Sequence, residues 1–318
     1  MLLDFAPLEG ITTAPFRRLH AELFPGVDRY YMPFISPGSD HIFTPRQLRE
    51  ILPEHNEGLT VIPQIMAKNA EDFLWAAKEL HAMGYEEINL NAGCPSGTVT
   101  AKGKGAGLLA DSNALDELLD KIFSKAPCAV SVKTRLGLNE PEEFDPILEV
   151  YNRYPMSELI IHPRVRKDLY RHAVRMEEFD RALLRCKMPV SYNGSIVTPA
   201  DYADCVRRYP DLKSVMVGQG LVSDLALAQK IRTGTGTTKE TVREFHDRLL
   251  ESYTIQFGSV GNAFKRMKDV WFYLIRCFSD SEKYGKKILK SKTPEEYTLA
   301  VSAVFRELEL LNESAGGW

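Results

Sequence analysis

The sequence predicts an α/β fold, a (β/α)8 TIM barrel followed by a small C-terminal helical bundle domain, and two observations favour it. Eight short β-branched or apolar runs recur in the first two thirds of the 318-residue chain, and helical patterns separate most of them. Strands that alternate with helices imply a parallel sheet. Eight repeats that end near residue 233 fit a closed barrel better than an open doubly wound sheet, which usually has fewer strands.

The predicted strands follow one another along the barrel region. They span 2–6, 29–33, 60–65, 87–91, 129–134, 158–162, 189–193 and 214–218. The clearest helical patterns between them span 70–84, 112–126 and 198–209. Ser112 and Thr198 are the predicted N-caps of the last two helices, because short hydroxyl side chains accept hydrogen bonds from the first turn.

A change of composition marks the end of the barrel. The stretch RTGTGTTKET at 232–241 is small, polar and glycine-containing, which is typical of a linker. We therefore expect a catalytic barrel at 1–233, a linker at 234–241 and a helical domain at 242–318. The last region has helical periodicity with short connections, which predicts an antiparallel bundle.

Composition bounds the possible partners. No apolar run reaches the roughly 18 residues that cross a bilayer, and the start MLLDFAPLEG does not resemble a secretion signal, so we expect a cytoplasmic protein without membrane contact. Five scattered cysteines without a C-x-x-C pair disfavour disulfides and a metal site. A net charge of −3 means that a nucleic acid would have to bind a local basic surface. No obligate protein partner is predicted.

Polar residues and glycines stand at the C-terminal ends of the predicted strands, where TIM barrels carry their chemistry. Glycines after the last two strands would let backbone amides approach a phosphate. Lys133 lies in an otherwise apolar strand, so it predicts a partner of negative charge. One such residue alone would as readily bind loop carbonyls, but the whole set indicates a planar, anionic, phosphorylated ligand. In chain order the set is Pro7-Leu8-Glu9-Gly10, Gln64, Asn91 to Cys94, Lys133, Arg135, His162, Arg164, Asn193-Gly194 and Gly218-Gln219-Gly220.

The most distinctive segment is NLNAGCPSGTVTAKGKGAGLL at 89–109. Its Cys94 lies between glycines and a proline in a predicted loop, whereas the other four cysteines fit the pattern of core residues. A thiol is mostly protonated at neutral pH and can act as an acid, but nearby positive charge can make it a nucleophile. Both roles are open for Cys94 at this point.

Taken in order, these motifs resemble those of the tRNA-dihydrouridine synthases, and the similarity covers nearly the whole chain. It is carried by APLEGIT, NLNAGCPS with GKGAGLL, VSVKTRLG, LIIHPR, YNGSI and VMVGQG. The NxGCPS loop combined with VKxRxG is its most specific part. The resemblance implies a flavin-dependent enzyme that reduces a specific uridine of tRNA to 5,6-dihydrouridine.

The resemblance also implies a cofactor site and a mechanism. NADPH would reduce FMN, hydride would pass to uracil carbon 6, and Cys94 would protonate carbon 5, where the C4 carbonyl makes an acid chemically sensible. The residues that it assigns to FMN are Pro7, Leu8, Glu9, Gln64, Lys133, His162, Asn193, Gly194, Ser195, Gly218 and Gln219.

Three positions depart from the family pattern. Gln219 replaces the usual arginine, His162-Pro163-Arg164-Val165 replaces His-Gly-Arg-Thr, and Thr13 replaces an aspartate. The first change removes a guanidinium from the expected phosphate site. Backbone amides can still bind a phosphate, and Arg164, Arg166 or Lys167 could compensate.

Basic residues predict a surface for RNA. Segment 264–292 contains nine basic and three acidic residues, in contrast to the acidic whole. Lysines on a helix are usually only a solvated face, but with the resemblance the helical domain becomes the predicted tRNA-binding element, because the enzyme must hold backbone while it takes the target base from its stack. The predicted tRNA contacts are Asn91, Lys102, Lys104, Arg135, Arg164, Arg166, Lys265, Arg266 and Lys268.

Two other functions are compatible with the sequence. One is an FMN barrel dehydrogenase of a free pyrimidine-like small molecule, against which the basic helical domain argues. The other is a flavin-less RNA-binding relative, which the departures at Gln219 and Thr13 leave open. Neither the uridine position nor the oligomeric state follows from the sequence.

Overall fold

The computed structural model describes residues 1–313 and confirms the TIM-barrel prediction. Within that range, nine parallel strands form one sheet in the order β3-β2-β1-β9-β8-β7-β6-β5-β4. The strands are β1 (Leu2–Phe5), β2 (Arg29–Tyr31), β3 (Val61–Ile62), β4 (Gln64–Ile65), β5 (Glu87–Ala92), β6 (Ala129–Arg135), β7 (Glu158–His162), β8 (Val190–Asn193) and β9 (Ser214–Val217).

The barrel closes through the run that was predicted as a single strand at 60–65. Pro63 interrupts this run, because proline has no amide hydrogen for the sheet. Before Pro63, β3 pairs with β2, and after it, β4 pairs with β5. The Pro63 carbonyl accepts from the amide of Asn89 at 2.9 Å. Because β3 and β4 are consecutive, the strand order returns to its start.

Helices alternate with the strands as predicted. Thr198 caps its helix by accepting from the Asp201 amide, as expected. The prediction for Ser112 was wrong: Asp111 is the N-cap and accepts from Asn113 and Ala114, since a carboxylate is favoured at the positive end of a helix. The barrel-region helices are α1 (Ala14–Leu23), α2 (Pro45–Ile51), α3 (Ala70–Ala82), α4 (Gly97–Thr100), α5 (Ser112–Phe123), α6 (Phe144–Tyr151), α7 (Met176–Arg185), α8 (Pro199–Arg208), α9 (Gln219–Ser223) and α10 (Leu227–Thr233).

The C-terminal region is helical. Its helices are α11 (Lys239–Phe257), α12 (Val260–Leu274), α13 (Glu282–Lys290) and α14 (Pro294–Glu307). The first of them starts inside the stretch predicted as linker at 234–241, because Thr238 accepts from the Thr241 amide and so begins the helix early. Only 234–238 therefore separates α10 from α11. Residues 314–318, the end of the predicted helical domain, lie outside the described residues.

Inward-facing residues form successive levels inside the barrel, because side chains alternate along a strand. In β7, Glu158 belongs to the lowest level, Ile160 to the middle level and His162 to the top. The middle level is apolar and contains Ala6, Tyr31, Ile62, Ile160 and Met216. Polar side chains lie below and above it.

The lowest level is a buried charge cluster near the N-terminal ends of the strands. The Arg29 guanidinium donates to Asp4 at 2.5 and 2.8 Å and lies 2.9 Å from Glu158. Ser214 donates to Asp4 at 2.5 Å and lies 3.1 Å from Glu158, and Ser191 donates to Glu158. Each charge of this cluster therefore has a partner of opposite charge within the protein.

Candidate active site

A cavity opens at the C-terminal ends of the strands. It consists of two adjoining pockets that share part of their lining. Six residues line both pockets: Pro7, Leu8, Lys133, His162, Tyr170 and Gln219. One pocket extends to Asn193, Gly194, Ser195 and Gly218, and the other extends to Glu9, Gln64, Asn91, Cys94 and Arg135.

Side-chain amides build one wall of the cavity. Asn91 donates to the Gln64 carbonyl oxygen at 2.7 Å, and Gln64 donates to Asn89 at 2.8 Å. The Asn91 carbonyl oxygen accepts from the amides of Gly93 and Cys94 at 3.1 and 2.9 Å. Asn91, predicted as a tRNA contact, thus holds the start of the Cys94 loop.

The Cys94 loop is fixed from several sides. The Cys94 carbonyl accepts from the Ala106 amide at 3.0 Å, and Arg135 donates to the Gly93 carbonyl at 3.0 Å. Gly105 has a φ of +57°, and a Cβ there would lie 2.9 Å from Cys94. These contacts hold the half-buried thiol of Cys94 in the cavity wall.

Two residues predicted to contact tRNA also fasten this loop. Arg166 donates to the Pro95 carbonyl at 3.3 Å, and Lys104 donates to the Ser36 hydroxyl at 2.7 Å. Lys102, a third predicted contact, is exposed. The structure therefore gives Arg166 and Lys104 partners within the protein and leaves Lys102 on the surface.

The centre of the cavity concentrates basic groups. Burial, with repulsion from Arg135, lowers the pKa of Lys133 to about 7, while Cys94 has an opposing effect. Burial also lowers the pKa of Arg135, and repulsion from Arg164 adds to it. Within residues 1–313, neither Lys133 nor Arg135 has a carboxylate within ion-pair distance.

His162 is neutral at the bottom of this cavity. Burial holds its pKa well below the usual range, and Arg135, Lys133 and Arg164 lower it further. Arg164 Nη1 lies 2.8 Å from His162 Nε2. Since a guanidinium only donates, Nε2 must be the unprotonated nitrogen and Nδ1 carries the hydrogen. Arg164 also donates to Ser195 at 2.9 Å, so its role here is to position two cavity residues.

These observations fit an anionic flavin. Buried positive charge without a counter-charge is unfavourable, so Lys133 and Arg135 favour an anion. At the other end of the cavity, Gly218 lies opposite Ala6 and Leu8. Because glycine has no side chain, the space between these three residues stays open. All residues predicted to bind FMN line the two pockets, although Glu9 lies at the outer edge, where it pairs with Arg46. Their roles toward the cofactor stay predictions.

The predicted contacts in the helical domain separate into two kinds. Lys265 is exposed on α12. Arg266 donates to the Gly10 carbonyl at 3.2 Å and pairs with Asp269, while Lys268 donates to the Ser291 carbonyl at 2.7 Å. Arg266 therefore joins α12 to the loop after β1.

Two tyrosines of the cavity were missed at the level of sequence. Tyr170 stands 5.8 Å from the His162 ring, and the Arg135 guanidinium carbon lies 5.4 Å from its ring centroid. It follows Leu169, which has an unusual φ of +50° and whose carbonyl accepts from Arg135 at 3.1 Å. Tyr273 reaches the cavity from α12 and hydrogen-bonds Gln219. An aromatic residue in the basic loop after β7 was a usable signal for Tyr170, but Tyr273 had none.

The barrel and this cavity define the class of the protein, a TIM barrel with a basic cavity at the C-terminal ends of its strands, where enzymes of this fold carry their active sites. Solved structures agree on the fold. Morphinone reductase in complex with tetrahydroNAD matches with a TM-score of 0.52 and 13% identity over 75% of this chain and 89% of that chain. A variant of NCR from Zymomonas mobilis matches with a TM-score of 0.53 and 13% identity over 76% and 90%. At such identities the likeness shows the fold alone.

The family follows from the sequence comparisons. The family model described as dihydrouridine synthase (Dus) matches residues 4–308, so the chain belongs to the dihydrouridine synthase family. It is 28% identical to a tRNA-dihydrouridine(16) synthase of Ralstonia nicotianae over 237 residues, 72% of each chain. It is 26% identical to a probable tRNA-dihydrouridine synthase of Staphylococcus aureus over 271 residues, 82% of each chain. The resemblance inferred from the motifs is confirmed.

Two negative findings apply to residues 1–313. No group of three or more His, Cys, Asp or Glu side chains in this range is arranged to hold a metal ion. No helix of the same range is long and apolar enough to cross a membrane.

Proposed function

We propose that the protein reduces a uridine of tRNA to 5,6-dihydrouridine, with FMN in the cavity and NADPH as the reductant. One observation carries this proposal: Cys94 shares a cavity with Lys133 and Arg135, whose positive charges have no carboxylate partner within residues 1–313. Membership of the dihydrouridine synthase family supports the reaction class, and the relatives named as tRNA-dihydrouridine synthases support tRNA as the substrate. FMN, when bound, supplies the hydride chemistry.

The basic residues of the cavity bind and orient the cofactor. Lys133 takes up a proton when an anionic group binds beside it, because the new charge opposes the effect of burial. His162 stays neutral and offers its Nδ1 hydrogen, since Nε2 faces Arg164. The loops at Asn193-Gly194-Ser195 and Gly218-Gln219 lie at the far end of the cavity, where backbone amides can receive a phosphate.

Cys94 holds the proton that the product requires. Reduction of the 5,6 double bond adds hydride to carbon 6 and leaves carbon 5 to be protonated, and Cys94 Sγ delivers that proton from its fixed loop. Because the donor is already held in one position, the entropic part of the activation barrier for proton transfer is lower. Tyr170 and Arg135 form the adjoining wall, where they exclude water and contact the uracil ring.

The position of α12 favours a macromolecular substrate. Its C-terminal part contributes Tyr273 to the cavity, and its N-terminal part contacts the loop after β1 through Arg266. Exposed Lys265 on the same helix offers a positive charge to a phosphate. A dehydrogenase of free pyrimidines would have no use for this exposed positive charge.

The experiment uses the purified full chain with FMN. NADPH is added with unmodified tRNA or, in a parallel reaction, with free uridine monophosphate, and dihydrouridine is measured by mass spectrometry. We expect the product in tRNA and little in the free nucleotide. Turnover of the free nucleotide without turnover of tRNA would identify a small-molecule dehydrogenase. A protein that binds tRNA but takes up no FMN would identify a flavin-less RNA-binding protein.

A further inference from the structure

Helix α12 forms one rim of the cavity. Near its start Arg266 donates to the Gly10 carbonyl, in the loop after β1. Near its end Tyr273 hydrogen-bonds Gln219, at the start of α9, and lines the cavity together with Cys94. The helix therefore runs along the opening, and side chains on its outer face stand where a large substrate must approach.

Phe272 occupies that outer position. It is 49% exposed, while its neighbours Trp271 and Leu274 are buried. Its ring lies 5.0 Å from the Tyr273 ring at an angle of 82°, so it is separated from the cavity by one aromatic side chain. The Arg276 guanidinium carbon lies 5.7 Å from the Phe272 ring centroid. An exposed aromatic ring beside a cationic group is the combination that binds nucleic-acid bases.

We propose that Phe272 stacks on the base next to the uridine that enters the cavity, with Arg276 close to the phosphate between them. This inference rests on the proposed function. When a base leaves its stack, the neighbouring base exposes an apolar face, and covering that face lowers the cost of extrusion. Tyr273 fills the space between the cavity and Phe272, so the two bases would be held apart on either side of it.

Charge and position favour RNA over other occupants of this surface. Residues 265–276 contain four basic side chains and one acidic side chain. Exposed Lys265 lies on α12 with Phe272, and half-buried Arg276 follows directly after the end of this helix, beside the Phe272 ring. A protein partner of purely apolar character would not require this charge. The surface is also continuous with the cavity into which the target base must pass.

The test measures binding of the FMN-loaded protein to tRNA whose target uridine has been mapped with the wild-type reaction. Phe272→Ala should weaken binding by roughly 5- to 150-fold, the range for loss of one stacked base. Phe272→Trp should retain affinity. Leu299→Ala removes a similarly exposed apolar side chain from α14 and should leave affinity unchanged. FMN content of each variant checks that the fold is intact.

The stacked base is identified with abasic substitutions on either side of the target. One of these abasic RNAs should bind the wild-type protein about as weakly as intact tRNA binds the Phe272→Ala variant. The Phe272→Ala variant should bind this abasic RNA no more weakly than it binds intact tRNA, because the stacking contact is already absent. Additive losses would overturn the proposal, as would a Phe272→Ala variant that binds tRNA normally. A variant that is impaired in flavin reduction by NADPH but not in tRNA binding would assign the ring to the dinucleotide instead. Failure of the wild type to modify tRNA would contradict the proposed function, and the stacking proposal, which rests on it, would be contradicted as well.

Discussion

The two ends of the barrel bury similar side chains but give them different partners. At the lower end Arg29 lies between Asp4 and Glu158, so positive and negative charges meet inside the protein. At the upper end Lys133 and Arg135 lie close to each other and to the Cys94 thiol. Within residues 1–313 no carboxylate pairs with either of them. The same barrel therefore contains one complete charge cluster and one that lacks its anion.

This difference indicates which end is structural and which end is functional. A complete cluster has little to offer a charged ligand, because its charges already pair with one another. An incomplete cluster carries the cost of burial until an anion binds. We therefore expect substitutions at the lower end to change stability, and substitutions at the upper end to change binding and turnover.

The largest effect should follow from Cys94→Ala. Without a proton donor, the reduction of uridine in a single turnover should fall by about 10²- to 10⁴-fold, the usual contribution of a general acid. Reduction of FMN by NADPH should stay near the wild-type rate, because that half-reaction does not use the thiol. Stopped-flow absorbance measures the flavin step, and quenched samples measure dihydrouridine.

Cys128→Ala is the matched control, since Cys128 is a half-buried cysteine away from the cavity residues. Equal rates for wild type and Cys94→Ala in the RNA step would contradict the proton-donor role. Loss of FMN from Cys94→Ala would instead mean that the thiol supports the cofactor site.

At the lower end, Arg29→Met should cost about 3–5 kcal/mol in the free energy of unfolding, because buried Asp4 loses its counter-charge and Glu158 loses the more buried of its two cationic partners. Urea denaturation of the cofactor-free protein measures this loss. Lys213→Met removes a partly exposed partner of the same Glu158 and should cost less than about 1 kcal/mol. If both variants were equally stable, the lower cluster would not be the structural element that we describe.

The pH dependence of FMN binding tests the upper cluster. The pKa of Lys133 is lowered to about 7, so the free protein carries this proton below pH 7 and must take it up on binding above pH 7. Affinity should therefore be full at low pH and fall by up to about tenfold per pH unit as pH rises above 7. Fluorescence titration at several pH values measures it.

Lys133→Arg separates this effect from titration of the flavin itself. A guanidinium stays charged over the whole range, so the variant should bind FMN with a much flatter profile between about pH 7 and 9. Parallel profiles for wild type and variant would remove Lys133 as the titrating group.

The smallest effect concerns charge outside the barrel. Lys265→Gln should weaken tRNA binding a few-fold and reduce the slope of log affinity against log salt by about one unit, as expected for one lost phosphate contact. Lys268→Gln should change less, because its ammonium already donates to the Ser291 carbonyl. Exposed Lys121 on α5 provides the control substitution. Identical salt slopes for all three variants would leave Lys265 as a solvated side chain.

Local patterns in the sequence were enough to predict the barrel and most of the cavity. Strand ends converge in this fold, so Lys133, His162 and Asn193 could be placed at one site from their positions in consecutive βα units. The unusual loop around Cys94 was visible because its glycines and proline are sequence neighbours. Pro63 was also visible, but its effect on pairing depends on which neighbouring strand each half meets.

Contacts between distant parts of the chain could not be predicted in this way. The sequence marks Lys104 and Arg166 as basic loop residues, but only the folded chain brings them to Ser36 and Pro95. Tyr273 and Phe272 belong to an ordinary amphipathic pattern, and their place beside Gln219 depends on how α12 packs on α9. Asp111 and Ser112 are both good caps, and the backbone geometry decides between them.

The pairing of β1 with β9 has a consequence for synthesis of the chain on the ribosome. Leu2–Phe5 leaves the ribosome long before its partner Ser214–Val217, which lies far later in the chain. The pocket wall at Tyr273 is translated later still. No nascent chain that ends before these segments can therefore contain a finished cavity. A shortened translation product would expose a sheet edge to chaperones and proteases and would have no activity to preserve.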